Sequence, residues 1–201
     1  MTTLCLNEFQ VQHLKPLNFK VKDKITCLSG DSGSGKSLLL RAIADLIEHN
    51  GDALLDDKKC SDIPPVQWRK WVGFLPAESH WWKENVKDHF PENNKQVHHF
   101  LKMLSLREES LDWDISRCST GEKQRLALIR LLLNEPKVLL LDEPTASLDQ
   151  KNVEQVETVI KQYAKDNQVP VIWVSHDPQQ IKRVAESMLE IKNNEIVEVV
   201  L

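Results

Sequence analysis

Gly30-Asp31-Ser32-Gly33-Ser34-Gly35-Lys36-Ser37 fits the spacing G-x-x-x-x-G-K-[ST] at every constrained position. Ahead of it, Ile25-Thr26-Cys27-Leu28 reads as a short buried strand; behind it, Ser37 to Ala44 reads as a helix. Strand, glycine-rich turn and helix start together aim several backbone N–H groups and the positive end of a helix at one anion. Lys36 is then placed for the β- and γ-phosphates of a nucleoside triphosphate, and the Ser37 hydroxyl for a Mg²⁺ shell. The bland alternative is a glycine-rich turn with no ligand.

Working outward, the chain reads as strand-rich, then helical, then alternating strand and helix. Leu4 to Val11 and Leu17 to Val21 alternate apolar and polar residues, as half-buried strands do. Residues 51–57 read as a turn and a short strand, and Trp71 to Leu75 as a strand stopped by Pro76. From about Trp82 to Arg117 the pattern reads as helical. Val138 to Leu141 and Val169 to Val174 are apolar runs of buried-strand type, with helices expected near 121–133, 151–166 and 178–187. Met188 to Ile191, Asn193-Asn194 and Ile196 to Val200 predict a terminal hairpin. The 201 residues are read as one domain, 1–201, with a lobe of about 79–117 inserted in an α/β core.

Charge and cysteine content narrow the function classes. A net charge of −4 gives no electrostatic case for nucleic acid as the main partner. No apolar stretch approaches the ~18 residues of a membrane span, and the N-terminus lacks the basic and apolar regions of a signal peptide. Cys5, Cys27, Cys60 and Cys118 are scattered, with no C-x-x-C pair and no histidine at metal-ligand spacing, as expected of reduced thiols in a cytoplasmic protein. His13, His49, His80, His98 and His99 are read as surface residues, none of them paired with a cysteine.

The second half supplies carboxylates. Val138-Leu139-Leu140-Leu141-Asp142 is a buried strand ending in an acid, and Glu143 follows at once. In a phosphate-loop protein such an Asp holds Mg²⁺ opposite the loop hydroxyl. If the strand end turns both carboxylates to one side, Glu143 can polarise the attacking water as general base. Ser175-His176-Asp177 closes the next apolar strand, and ligands of open α/β sheets bind at that edge, so His176 is placed for the γ-phosphate. A solvated acidic turn is the alternative for Asp142-Glu143.

Cys118-Ser119-Thr120-Gly121-Glu122-Lys123-Gln124-Arg125 precedes that strand and opens a helix. With these residues the chain resembles the ATP-binding-cassette (ABC) ATPases over nearly its full length. It keeps Ser119, Gly121, Gln124 and Arg125 of the family's signature but has Cys118, Thr120 and Glu122 where Leu, Gly and Gln are usual. Asp142-Glu143-Pro144-Thr145-Ala146-Ser147-Leu148-Asp149 resembles the Walker B motif and D-loop, and His176 the switch histidine. The resemblance implies a P-loop NTPase (RecA-like) core, an N-terminal antiparallel β subdomain and an inserted α-helical subdomain. It implies binding of ATP and Mg²⁺ by residues 30–38, with Lys36, Glu143 and His176 catalytic and Ser37 and Asp142 on the metal. It also implies that Ser119, Gly121, Glu122 and Asp149 act in trans, on ATP held by a second copy or a paired subunit.

Three departures accompany the likeness. Phe74-Leu75-Pro76-Ala77-Glu78 puts Ala77 where the family carries a Mg²⁺-reaching Gln, so a one-residue shift would make Glu78 a metal ligand. Leu38 replaces a hydroxyl residue, leaving one α-phosphate contact to the backbone. No adenine-stacking aromatic is evident; Phe9 and His13 are candidates, alongside a core Phe and a surface His. Trp68, Trp71, Trp81 and Trp82 gather where the family receives a membrane subunit, so Trp81-Trp82 would suit that interface, while Trp is also a common core residue.

The function expected from the resemblance is the ATPase subunit of an ABC transporter. It would lie on the cytoplasmic face of the membrane and pair with a separate transmembrane permease. A soluble ABC ATPase of repair or translation, and a nucleotide-binding regulator with little turnover, are the alternatives.

Overall fold

The computed structural model describes residues 2–22, 24–92 and 95–200. Met1 and Leu201, the outer bounds of the single-domain reading, lie outside that range. The chain runs β1 (Leu4–Gln10), β2 (Leu17–Val21), β3 (Ile25–Gly30), α1 (Lys36–Ile43), β4 (Asn50–Leu55), β5 (Lys58–Lys59) and α2 (Pro65–Trp71). It continues with β6 (Val72–Leu75), α3 (Lys95–Met103), α4 (Thr120–Leu132), β7 (Val138–Asp142), α5 (Gln150–Asn167), β8 (Val171–Val174), α6 (Pro178–Val184), β9 (Ser187–Lys192) and β10 (Glu195–Val199).

Strand alternation decides the layering. In β7, Leu139 and Leu141 join a buried cluster with Leu126 and Ile129 of α4 and Val156 and Ile160 of α5. Val138 and Leu140 join the opposite cluster, with Leu39, Leu40 and Ile43 of α1 and Leu4, Leu6 and Phe9 of β1. β8 divides in the same way, Val171 and Trp173 to the first side, Ile172 and Val174 to the second. Both faces of this sheet are covered, so its central strands are apolar at successive positions rather than alternately polar. Its order is β10-β9-β3-β8-β7-β6, parallel except for β10, which folds back on β9. Asn193 and Asn194 take φ of 52° and 64° at that hairpin, the left-handed pair its two-residue turn requires.

Register then lines up the loop-bearing ends. Leu28 pairs with Val174, Val174 with Asp142, and Leu141 with Leu75. Residues after β3, β8, β7 and β6 therefore emerge together at one sheet edge.

The second sheet, β2-β1-β4-β5, is antiparallel. In its β1–β4 ladder Asn7 faces Asp52 and Gln10 faces Asn50, so β1 carries one extra residue there. Gly51 has φ +72°, and a Cβ built on it would lie 2.1 Å from the Glu8 carbonyl oxygen. Gly51→Ala is expected to destabilise the chain by ~2 kcal/mol or more, read as a lower denaturant midpoint with an unchanged slope. A midpoint within error of the original would mean the bulge relaxes at little cost.

The segment read as helical from Trp82 to Arg117 is mostly not α-helix. α3 is its one α-helix among the described residues; Val86–His89, Glu108–Asp112 and Ile115–Arg117 are short 3₁₀ turns. Val86, Val97, Leu101, Leu104 and Leu106 nevertheless pack into the same cluster as α4 and β7. Trp71, read as opening a strand, ends α2, a helix begun by Pro65 at its first turn. Among the described residues no helix is long and apolar enough to cross a membrane.

Candidate functional site

Gly35 sits at the N-cap of α1 with φ 102°, a left-handed conformation that turns the loop into the helix without a side-chain cap. The helix start is thus left with uncapped N–H groups facing the loop interior. The Ser34 hydroxyl is buried there with no hydrogen-bond partner among the described residues. A Cβ on Gly30 would come within 2.9 Å of that hydroxyl and 2.8 Å of the Ile191 carbonyl, so side-chain bulk is excluded from the cradle. Lys36 is buried and donates from Nζ to the carbonyls of Gly30 and Asp31, each at 2.8 Å. Burial pulls its pKa below the ordinary lysine value, opposed by the charges of Glu143, Asp142 and Asp31. Asp31, Ser32 and Gly33 form the exposed tip, and Leu38 packs half-buried against the β1–α1 cluster.

Asp142, at the end of β7, is 3 % exposed and lies beside the Ser37 hydroxyl. These are hard oxygen donors brought together beside a phosphate cradle, a donor set that suits Mg²⁺. Burial raises the Asp142 pKa, and Glu143 adds to the rise; Ser37, Arg41 and Lys36 oppose it. A carboxyl raised this way adds stability below its unfolded pKa and loses it as pH climbs through the folded one, so at neutral pH the ionised Asp142 weakens the free chain. Asp142→Asn is expected to raise the unfolding midpoint near pH 7, by a margin that shrinks toward pH ~4 as the wild-type carboxyl protonates. The same variant is expected to lose Mg²⁺-supported ATP turnover by ~10²-fold or more. A neutral-pH midpoint below the wild type would contradict the sign.

Glu143 takes φ 47°, a left-handed conformation uncommon for a non-glycine residue, while its N–H donates to the Val174 carbonyl at 3.2 Å. Both Glu143 and Asp142 act on Lys36 by charge. Glu143 Oε1 lies 3.1 Å from His176 Nε2, and both side chains are partly exposed. They line a cleft of about 320 Å³ with Thr145, Ser175 and Gln180.

The residues expected to act in trans keep local partners. Ser119 caps α4, its hydroxyl accepting from Glu122 N–H at 3.2 Å while Glu122 Oε2 accepts from Ser119 N–H at 2.9 Å. Gly121 sits close to its neighbours: a Cβ would lie 3.0 Å from Leu148 Cδ2 and 3.2 Å from the Ser147 carbonyl oxygen, so these would have to give by a few tenths of an ångström. Asp149 caps α5 through Asn152 N–H at 3.0 Å, and Asn152 Oδ1 accepts from Arg125 Nη1 at 2.6 Å. α4 and the start of α5 are therefore tied to each other within this chain. Gln124 also donates to the Pro76 carbonyl at 2.9 Å, fixing α4 to the turn that holds Ala77.

Other expected residues lie apart. Glu78 is exposed and is absent from the charges acting on Lys36 and Asp142. Phe9 is fully buried in β1 with its ring 4.5 Å from that of His49, so it is unavailable to stack on a base; His13 is exposed. Trp68 and Trp173 are buried, whereas Trp82 is 67 % exposed. Arg130 lies over Trp81 and Trp82, 4.5 and 4.7 Å from their ring centroids. His89 is buried beneath both rings and accepts at Nε2 from Trp82 N–H at 3.2 Å and Lys83 N–H at 3.0 Å. One ligand atom each from Asp45, His49 and Cys60 lies within 4.8 Å of the others.

Sequence reasoning missed a buried network behind the cleft. Gln180 of α6 donates to Thr145 Oγ1 at 2.9 Å, or to Glu157 Oε1 at 3.0 Å, and Glu157 accepts from Arg183 at 2.8 and 3.1 Å. It fastens the turn after Glu143 to the helix after His176. Only the burial of Glu157 and Gln180 reveals it, and no spacing rule predicts that.

The sequence profile of the family described as ABC transporter matches residues 14–146. The probable iron export ATP-binding protein FetA of Escherichia coli (strain K12) is 35% identical over 84% of this chain and 80% of its own length. The phosphate import ATP-binding protein PstB of Aeropyrum pernix is 34% identical over 92% of this chain and 83% of its own. Among solved structures, a dimeric ATP-binding cassette in a post-hydrolysis state with ADP and Pi superposes with TM-score 0.83 at 24% identity, covering 99% of this chain and 98% of that one. A bacterial Atm1-family ABC exporter with ATP bound gives 0.85 at 20% identity, over 98% of this chain and 38% of that chain.

Proposed function

The chain belongs to the ABC transporter family of ATP-binding proteins, and from that premise we propose how its residues drive a transport cycle. It is an ATP-hydrolysing subunit. Backbone N–H groups of residues 30–38 cradle the phosphates, and Lys36 gives its remaining donor to the β- and γ-oxygens. Ser37 and Asp142 would hold Mg²⁺, which would supply positive charge to offset the charge that develops on the transferred phosphoryl group. Glu143 orients and deprotonates the attacking water, and His176 holds the γ-phosphate from the far side of the Glu143 carboxylate. The observation that carries this reading is the convergence of Lys36, Asp142, Glu143 and His176 at one sheet edge.

Ser119, Gly121, Glu122 and Asp149 act on ATP held by a second copy of the chain or a paired cassette. Ser119 opens its capping contact with Glu122 to meet the partner's γ-phosphate at the start of α4. ATP then closes the dimer, and product release opens it. The pair works on the inner face of a membrane beside a separate permease, with Trp82 and its Arg130 support as part of the docking face.

Steady, Mg²⁺-dependent phosphate release by the isolated chain is expected; tight ATP binding without release would move the chain to the regulator class. Because Glu78 stands outside the metal group, Glu78→Ala is expected to keep Mg²⁺ dependence and turnover within about twofold, the range of a surface change. A tenfold rise in the Mg²⁺ requirement would restore Glu78 as a ligand.

A further inference from the structure

The fold gathers a second set of metal-binding side chains away from the phosphate loop. Asp45 follows the last turn of α1 in a left-handed conformation (φ 57°), His49 precedes β4, and Cys60 opens the turn before α2. Their ligand atoms lie within 4.8 Å of one another. From this geometry we infer that Asp45, His49 and Cys60 form a transition-metal site of the Zn²⁺ class.

The donor set defines the class. One thiolate, one imidazole and one carboxylate suit Zn²⁺ or Co²⁺ and disfavour Mg²⁺ and Ca²⁺. Four-coordinate bonds of ~2.0–2.3 Å set ligand atoms ~3.3–3.8 Å apart, so the trio closes by up to ~1.5 Å on binding, with water in the fourth position.

The surroundings fit a ligand that has not yet given up its proton. The His49 ring rests on Phe9 at 4.5 Å, and its Nδ1 is buried without a hydrogen-bond partner among the described residues. Arg69 donates to Asp45 Oδ2 at 3.2 Å and to the Asp45 carbonyl at 3.0 Å, leaving Oδ1 for the metal and orienting the carboxylate from behind. Cys60 is buried, and its thiol pKa is pushed up to about 11 by burial, then by Asp45 and Asp52, with Arg69 opposing. Asp52 is itself paired with Lys59 at 3.2 Å.

The site ties the C-terminal turn of α1 to β4 and α2. The phosphate loop lies at the other end of α1, eight residues or ~12 Å away, so metal occupancy would stiffen the support of that loop without touching nucleotide. This inference is independent of the transport reading.

The test is Co²⁺ and Zn²⁺ titration of the nucleotide-free full chain, with no Mg²⁺ and all thiols reduced. One equivalent of Co²⁺ is expected to give a thiolate-to-metal charge-transfer band, displaced by Zn²⁺. Cys60→Ser should abolish the band, and His49→Ala or Asp45→Asn should weaken binding at least ~10-fold, the least that removing a supporting group costs. Zn²⁺ should also slow alkylation at Cys60, resolved by position from Cys5. No band on the wild-type chain, or a band that survives Cys60→Ser, would overturn the inference.

Discussion

Glu143→Gln slows ATP hydrolysis by about 10²–10⁴-fold, the usual weight of a positioned general base, while ATP still binds. The amide keeps the side chain's size and one acceptor but removes the charge that takes the water's proton. The left-handed backbone at Glu143 and its N–H bond to Val174 do not depend on that charge. ATP should therefore hold the variant closed, and light scattering with ATP should show a dimer that the wild type reaches only in passing. His176 loses its carboxylate partner at 3.1 Å in the same variant, so the double variant with His176→Ala should lose less than the two single effects combined. Undiminished phosphate release by Glu143→Gln would remove Glu143 from the role of base.

Lys36→Ala acts one step earlier, on binding. A charge-assisted hydrogen bond in a buried setting is worth ~1.5–3 kcal/mol, so ATP affinity should fall by about 10²-fold. The loss has two sources. The carbonyls of Gly30 and Asp31 lose their shared donor, which loosens the cradle, and Glu143, Asp142 and Asp31 then face the incoming phosphates without a compensating cation. Equilibrium binding of a fluorescent ATP analogue measures it, with far-UV circular dichroism to show that α1 remains. Affinity within threefold of wild type would mean the loop N–H groups suffice.

What the sequence made legible was whatever is local. Strands β3, β7 and β8 are apolar on both faces because helices or a second sheet cover each side, and a continuous apolar run announces that burial. Phosphate loop, Asp142-Glu143 and His176 are each a few contiguous residues at strand ends, so order and spacing place them at one edge. The segment 79–117 resisted reading because its apolar residues are spaced like a helix but serve 3₁₀ turns packed on α4. The burial of His89 was illegible for a related reason: two backbone donors, Trp82 and Lys83, satisfy it in a turn no periodicity forecasts. Asp45, His49 and Cys60, like Thr145, Gln180 and Glu157, meet only through tertiary packing across separate elements.

That this chain is the motor of a membrane transporter is tested most directly by capturing it, tagged, from detergent-solubilised membranes of its own cells and quantifying what accompanies it. The account predicts a multi-span membrane protein in near-equal amount, released less readily from wild type than from a Trp82→Ala variant. Recovery from the soluble fraction alone, with no such partner, would contradict it.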